Sequence, residues 1–285
     1  MAFMTSTMVF QPDGQQPTGQ QDEFDSEQFE GGHETLPYIQ MLNHQNPDKS
    51  GFFITLQNME AAGFIPNEEW TPHTEQFQSG ETAEGYRSLT ARFLILRKSK
   101  LMMFERESDE FLGAFQKFRY DRNTVVLKTR YLVYLVSKSK VLFHTSPLLL
   151  TAKGSFNGCF GEVVRKFQSE MSKAYGIATG ARKPRGDRFM ALSILAVRVK
   201  PELKGDRKKS WACSIETYGS PTADTWKSYF VGYNERVKEK ILGEFEDWAQ
   251  FGSLERELQA QQRRFQGEDT LKDSESEHYA YDEDF

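Results

Sequence analysis

Long apolar runs are missing from this 285-residue chain: no stretch approaches the 18 or so consecutive apolar residues that a membrane-crossing helix needs. Cysteine is scarce. Cys159 and Cys213 stand alone, with no CxxC and no Cys/His pair at metal-ligand spacing, which argues against a zinc site and fits a reducing compartment. The five histidines, His33, His44, His73, His144 and His278, are scattered, and only His144 falls in the basic middle of the chain. No P-loop, GxSxG or HExxH pattern occurs. A DNA-processing enzyme needs converging carboxylates or a nucleophile beside a base. The acidic patch Glu105, Glu107, Asp109 and Glu110 reads as a solvated strand end or turn and not as a metal site. The expectation is a protein without catalysis, cofactor or metal. Met1 to Phe10 carries no positive residue ahead of its short apolar run, so a cytoplasmic location is expected.

Positive charge is absent from one end and nearly so from the other. Residues 1–34 carry seven acids and no Lys or Arg, while residues 266–285 carry eight acids and one Lys. Residues 87–210 hold 27 Lys and Arg against 10 Asp and Glu, so a net charge of −5 hides a strongly basic centre. A polyanion gains affinity for such a centre in proportion to the phosphates neutralised, and acidic ends would compete for it.

The polar, Gln- and acid-rich residues 1–35 read as a disordered tail, residues 36–265 as one nucleic-acid-binding domain, and residues 266–285 as a second disordered acidic tail. Within the domain the β core is expected over 86–220 and C-terminal helices over 223–265. Asn58 to Gly63 fits a short helix stopped by glycine. The run from Arg92 to Leu96, Lys98-Ser99-Lys100 and Leu101 to Phe104 is echoed by Arg130 to Leu135, Lys138-Ser139-Lys140 and Val141 to Phe143. Each reads as a hairpin with a basic turn, and the turn lysines would project from one rim. Ser155 or Asn157 caps a helix with Phe160, Val163, Val164, Phe167, Met171 and Ala174 on one face, ended by Gly176. The loop Thr179 to Arg188 is basic and exposed. Phe189 to Val199 and Ser210 to Tyr218 read as strands, with Trp211 just after Arg207, Lys208 and Lys209. From Thr222 or Asp224 a long helical stripe runs through Trp226, Phe230, Val237, Ile241, Phe245, Trp248, Phe251, Leu254 and Leu258, broken near Gly252; self-association through it is a secondary reading.

The last residues, Asp282-Glu283-Asp284-Phe285, join an acidic run to a terminal ring. This tip resembles that of single-stranded DNA-binding proteins, most closely the phage type that closes on acids and one Phe. It departs from the bacterial type in having Asp284, not Pro, before the Phe. Leu36 to Phe64 resembles the start of an uncharacterised family of phage and plasmid proteins, which implies no defined activity. The tip resemblance implies sequence-nonspecific binding of single-stranded DNA and capture of a replication or recombination partner by residues 282–285.

The fold expected is α+β, mainly antiparallel β, with an oligonucleotide-binding-barrel-like core, one internal helix and a long C-terminal helical region. A curved sheet with one long helix, as in annealing-type folds, fits the same element order. Lys98, Lys100, Lys138, Lys140, Arg182, Lys183, Arg185, Arg188, Lys208 and Lys209 are expected on phosphates, with Trp211 and Tyr131 or Tyr134 stacked on bases. RNA binding, strand annealing, or a non-catalytic accessory role in a mobile element are the alternatives.

Overall fold

The computed structural model describes residues 36–77, 80–205 and 209–253. Strands β1 (Tyr38–Leu42) and β2 (Gly51–Thr55) pair antiparallel around a turn at Pro47–Lys49, where the Asn46 side chain accepts from the Asp48 amide at 2.9 Å. Thr55 caps helix α1 (Leu56–Ala62) and Gly63, at φ 63°, ends it as its sequence requires. Then follow β3 (Thr71–Gln76), β4 (Thr82–Ser88), β5 (Thr90–Lys98), β6 (Met102–Glu105), β7 (Phe111–Ala114), β8 (Val125–Leu135) and β9 (Leu148–Lys153). Helices α2 (Gly154–Thr179) and α3 (Asp187–Ala191), strands β10 (Ile194–Lys204) and β11 (Ser210–Tyr218), and helix α4 (Glu235–Asp247) complete the order.

Side-chain alternation builds three layers. On β5, Ala91 and Phe93 join one apolar cluster while Leu94 and Leu96 join another. On β8, Tyr131, Val133 and Leu135 face the first cluster and Leu132 and Tyr134 the second, joined there by Val136 just past the strand. The first cluster is filled by the α2 stripe Phe156, Phe160, Val163, Val164, Phe167, Met171 and Ala174. Ile241 and Phe245 of α4 cover the second. The centre of the sheet is therefore buried on both faces, and its strands read as continuous apolar runs.

The strands hydrogen-bond in the order β11-β10-β5-β8-β9-β1-β2-β4-β3, mostly antiparallel, with β6 and β7 attached beside β8. This is an antiparallel-dominated α+β fold. The sheet is open, which corrects the expectation of a barrel-like core: among the described residues no ladder joins β11 back to β1. It is nevertheless rolled. Five places separate β11 from β1, roughly 24 Å in a flat sheet at about 4.8 Å per strand. Yet the Cys213 amide donates to Asn43 Oδ1 at 2.8 Å, and the Cys213 thiol to the Leu42 carbonyl at 3.2 Å. The 26-residue helix α2 lays its apolar face against β8, β9, β10 and β11. A curved sheet carrying one long helix is the arrangement observed.

Three local expectations change. Lys98-Ser99-Lys100 is not a hairpin turn, because β5 and β6 both pair with β8, using residues 131–135 and 125–128 of it respectively. Ser99 is buried, its amide bonded to the Arg130 carbonyl at 2.8 Å and its hydroxyl accepting from the Arg130 amide at 2.9 Å, so the chain only jogs there. The second echo is a true tight turn, with Ser137 N to Val141 O at 2.9 Å and Lys140 at φ 64°. The two Lys-Ser-Lys runs consequently lie at opposite ends of β5, not on one rim. Helix α2 passes through Gly176 and stops at Gly180, whose φ of 73° supplies the left-handed residue. The long C-terminal stripe is split: Trp226 sits in a 3₁₀ turn, and a new helix starts only at Glu235, capped by Asn234. Leu254, Leu258 and both tails lie outside the described residues.

Candidate functional site

Tyr131 and Tyr134 are inside the protein, at 1% and 0% exposure, which corrects their assignment as stacking platforms. Tyr131 packs edge-on against Phe160 at 5.1 Å. Tyr134 faces the opposite layer, stacked on His144 at 4.8 Å, with its hydroxyl bonded to the Thr145 carbonyl at 2.8 Å and to Glu244 at 2.9 Å. Burial pushes the Tyr131 phenol up to about 12, and burial with the Glu244 contact raises that of Tyr134 further. Neither ring can receive a base.

The predicted cations fall in three places rather than one trough. Lys140 folds inward and donates to the carbonyls of Lys227 and Phe230 at 2.8 and 3.1 Å, and burial lowers its pKa. Lys138 is exposed, 3.6 Å from Glu69. Near them lies a box of rings: Phe230 stacks on Phe189 at 4.8 Å, Phe189 meets Tyr175 at 5.0 Å, and the Arg185 guanidinium covers Tyr175 at 4.9 Å. Arg188 pairs with Glu246 of α4. Arg182 and Lys183 are exposed on the same loop, beside a shallow groove of about 360 Å³ that includes Ser172, Lys173, Arg185 and Asp187. The basic loop is thus partly spent on anchoring itself. Lys209 and Trp211 lie on a different element, the end of the β10–β11 hairpin, and both are exposed. Lys208 and the tip Asp282, Glu283, Asp284 and Phe285 fall outside the described residues.

Lys98 and Lys100, both exposed, keep company that the sequence reading passed over. The Phe115 amide donates to the Leu101 carbonyl at 2.8 Å, so the loop after β7 starts next to Lys100. That loop reads Phe115-Gln116-Lys117-Phe118-Arg119-Tyr120-Asp121-Arg122, and all eight residues are exposed. Phe118 is 87% exposed, the most accessible large apolar side chain among the described residues. Phe115 and Tyr120 brace each other edge-to-face at 5.9 Å. The loop is also held at its far end: Arg106 donates to the Arg122 and Asn123 carbonyls at 2.8 and 3.0 Å, and the Val125 amide bonds Asp121 O at 2.9 Å. Three rings and three cations alternate on a tethered loop, with two more lysines beside it and Asp121 the only acid within it. The signal was present as an aromatic–cation alternation with no strand or helix period. Among the described residues no group of three or more His, Cys, Asp or Glu could hold a metal ion.

The sequence matches the family model described as "Domain of unknown function (DUF5895)" over residues 33–264. The chain belongs to the DUF5895 family. It is similar to "Uncharacterized protein 254L" of Invertebrate iridescent virus 6, at 28% identity over 185 residues, covering 60% of this chain and 55% of the viral protein. The chain thus spans about half the length of that relative. No solved structure matches. Membership is consistent with an uncharacterised viral-type family and carries no activity with it, single-stranded DNA binding included.

Proposed function

We propose that this DUF5895 member binds single-stranded nucleic acid, DNA as the first ligand, with little sequence preference. The observation that carries this reading is Phe118, 87% exposed and flanked by Lys117 and Arg119 on the loop beside Lys98 and Lys100. A ring held in water between cations suits a base face above it and phosphates on either side. Stacking contributes about 1–3 kcal/mol per base whatever its identity, and each neutralised phosphate releases counterions. In a duplex the base faces are already stacked, so this surface favours an unpaired strand. The rolled sheet serves as the rigid platform that a closed barrel supplies in oligonucleotide-binding folds. The acidic tip at Asp282–Phe285 would then recruit a replication or recombination protein, its ring and carboxylates entering an apolar pocket rimmed by basic residues.

The test is fluorescence anisotropy of a labelled oligothymidylate titrated with the full chain at low salt. Phe118→Ala is expected to weaken binding by about tenfold, from the stacking magnitude above, without changing the melting temperature. A duplex of equal length should bind more weakly. No binding at low salt, or a Phe118→Ala protein indistinguishable from the parent, would sink the reading.

A further inference from the structure

Strand β10 pairs with β5 from Ile194↔Leu94 to Arg198↔Thr90, the Val199 amide still bonds the Leu89 carbonyl at 2.8 Å, and β11 stays fastened to Leu42 and Asn43 through Cys213. Past Pro201↔Cys213 the two strands pair with each other out to Lys204↔Ser210, and this end projects as a short ribbon. Its faces differ. On one, Val199↔Ile215 and Pro201↔Cys213 continue outward as Leu203↔Trp211, a directly opposed apolar pair at 48% and 36% exposure. On the other, Lys200 and Lys204 are both within ion-pair reach of Glu202, so their charge is partly cancelled. Trp70 and Trp226 are buried at 4% and 2%, so Trp211 is an indole left in water by a fold that buries others. The sequence around it is basic, with six Lys and Arg against two acids over residues 198–209, and Lys209 is exposed two positions before the ring.

We infer that the Leu203–Trp211 ledge is a second stacking station for the same strand, so that the protein grips single-stranded nucleic acid at two separated points. The inference rests on the binding reading above. Because β10 runs antiparallel to β5, the ribbon projects beyond Thr90, whereas the Phe118 loop lies past Lys98 at the other end of β5. At about 3.3 Å per residue along both strands, the two stations are on the order of 40 Å apart. A strand too short to span them gains from one station only. A longer one gains the second contact as an intramolecular step at high effective concentration.

The experiment compares oligothymidylates of about five and about twenty nucleotides, lengths that bracket a single-module site and exceed it. Each is titrated against the full chain and against its Phe118→Ala, Trp211→Ala and Trp211→Phe variants, with indole fluorescence as a second readout. The parent should bind the long oligomer at least about tenfold more tightly than the short one, and only the long oligomer should quench the exposed indole. Trp211→Ala should erase that length advantage, while Trp211→Phe should retain it. If Trp211→Ala matches the parent at both lengths while Phe118→Ala is weakened, the second station is overturned and the first reading stands. If neither oligomer binds the parent, both fall.

Discussion

At the scale of single residues, what the sequence hid was wetness. Tyr131 and Tyr134 lie three apart on β8 and so point to opposite faces, and one of them would meet solvent if only one face were covered. The unbroken apolar run Tyr131 to Val136, without polar alternation, carried the sign that both faces are dry. Phe118 is the reverse case: a ring without a periodic partner stays outside. His144, the lone histidine of the basic middle, is likewise interior at 3% exposure, its Nε2 accepting from the Leu135 amide at 2.8 Å and its Nδ1 donating to the Ser146 carbonyl at 2.6 Å. Burial drives its pKa down to about 4, with Lys240 adding to the shift and the Ser146 bond opposing it. The unfolded chain takes up this proton near 6.5 and the folded one resists it. The associated stability is therefore complete above about pH 6.5 and lost as pH falls toward 4, about 3 kcal/mol in all. Urea denaturation midpoints should fall between pH 7 and pH 4.5, and a His144→Asn variant, less stable at neutral pH, should show a flatter profile over that window.

At the scale of elements, helices were more legible than connections. The α2 stripe and the Gly63 stop follow from spacing and backbone chemistry that act within a few residues. The pairing of β5 and β6 with one long β8 does not, because it depends on Ser99 meeting Arg130, 31 positions away. Likewise, the spacing from Trp226 to Val237 matched one helix, but the rings of Trp226 and Phe230 pack into the box around Phe189 and the helix restarts at Glu235. Phe160 marks where the long helix and the sheet meet. It has no exposure and contacts Phe93 at 5.7 Å, Tyr131 at 5.1 Å and Phe156 at 5.2 Å. Phe160→Ala should cost about 3–5 kcal/mol, read as a lower denaturation midpoint, while oligonucleotide affinity measured well below the new melting temperature stays within about twofold of the parent.

At the scale of the whole molecule, the segregation of charge along the chain was plain from composition, while its distribution in space was not. The basic middle divides among the Phe118 loop, the anchored loop near Tyr175 and the β10–β11 ribbon, and ion pairs such as Arg188–Glu246 and Arg92–Glu69 consume part of it. Removing residues 266–285 deletes eight acids and one Lys. If that segment competes with a strand for the remaining cations, the shortened protein should bind an oligothymidylate more tightly at 50 mM salt. The advantage should shrink by 0.5 M as the Debye length drops below about 10 Å. Equal affinity of the two proteins at low salt would count against competition.

The seam between β11 and β1 has a mechanical meaning. Where a barrel is welded by a full backbone ladder, the hydrogen bonds seen across this seam run from the Cys213 amide to Asn43 and from its thiol to the Leu42 carbonyl, about 2 kcal/mol together, and the buried Cys213 adds apolar packing against the cluster that holds Ile39 and Phe52. Any widening of the rolled sheet has its slit already marked at Asn43 and Cys213.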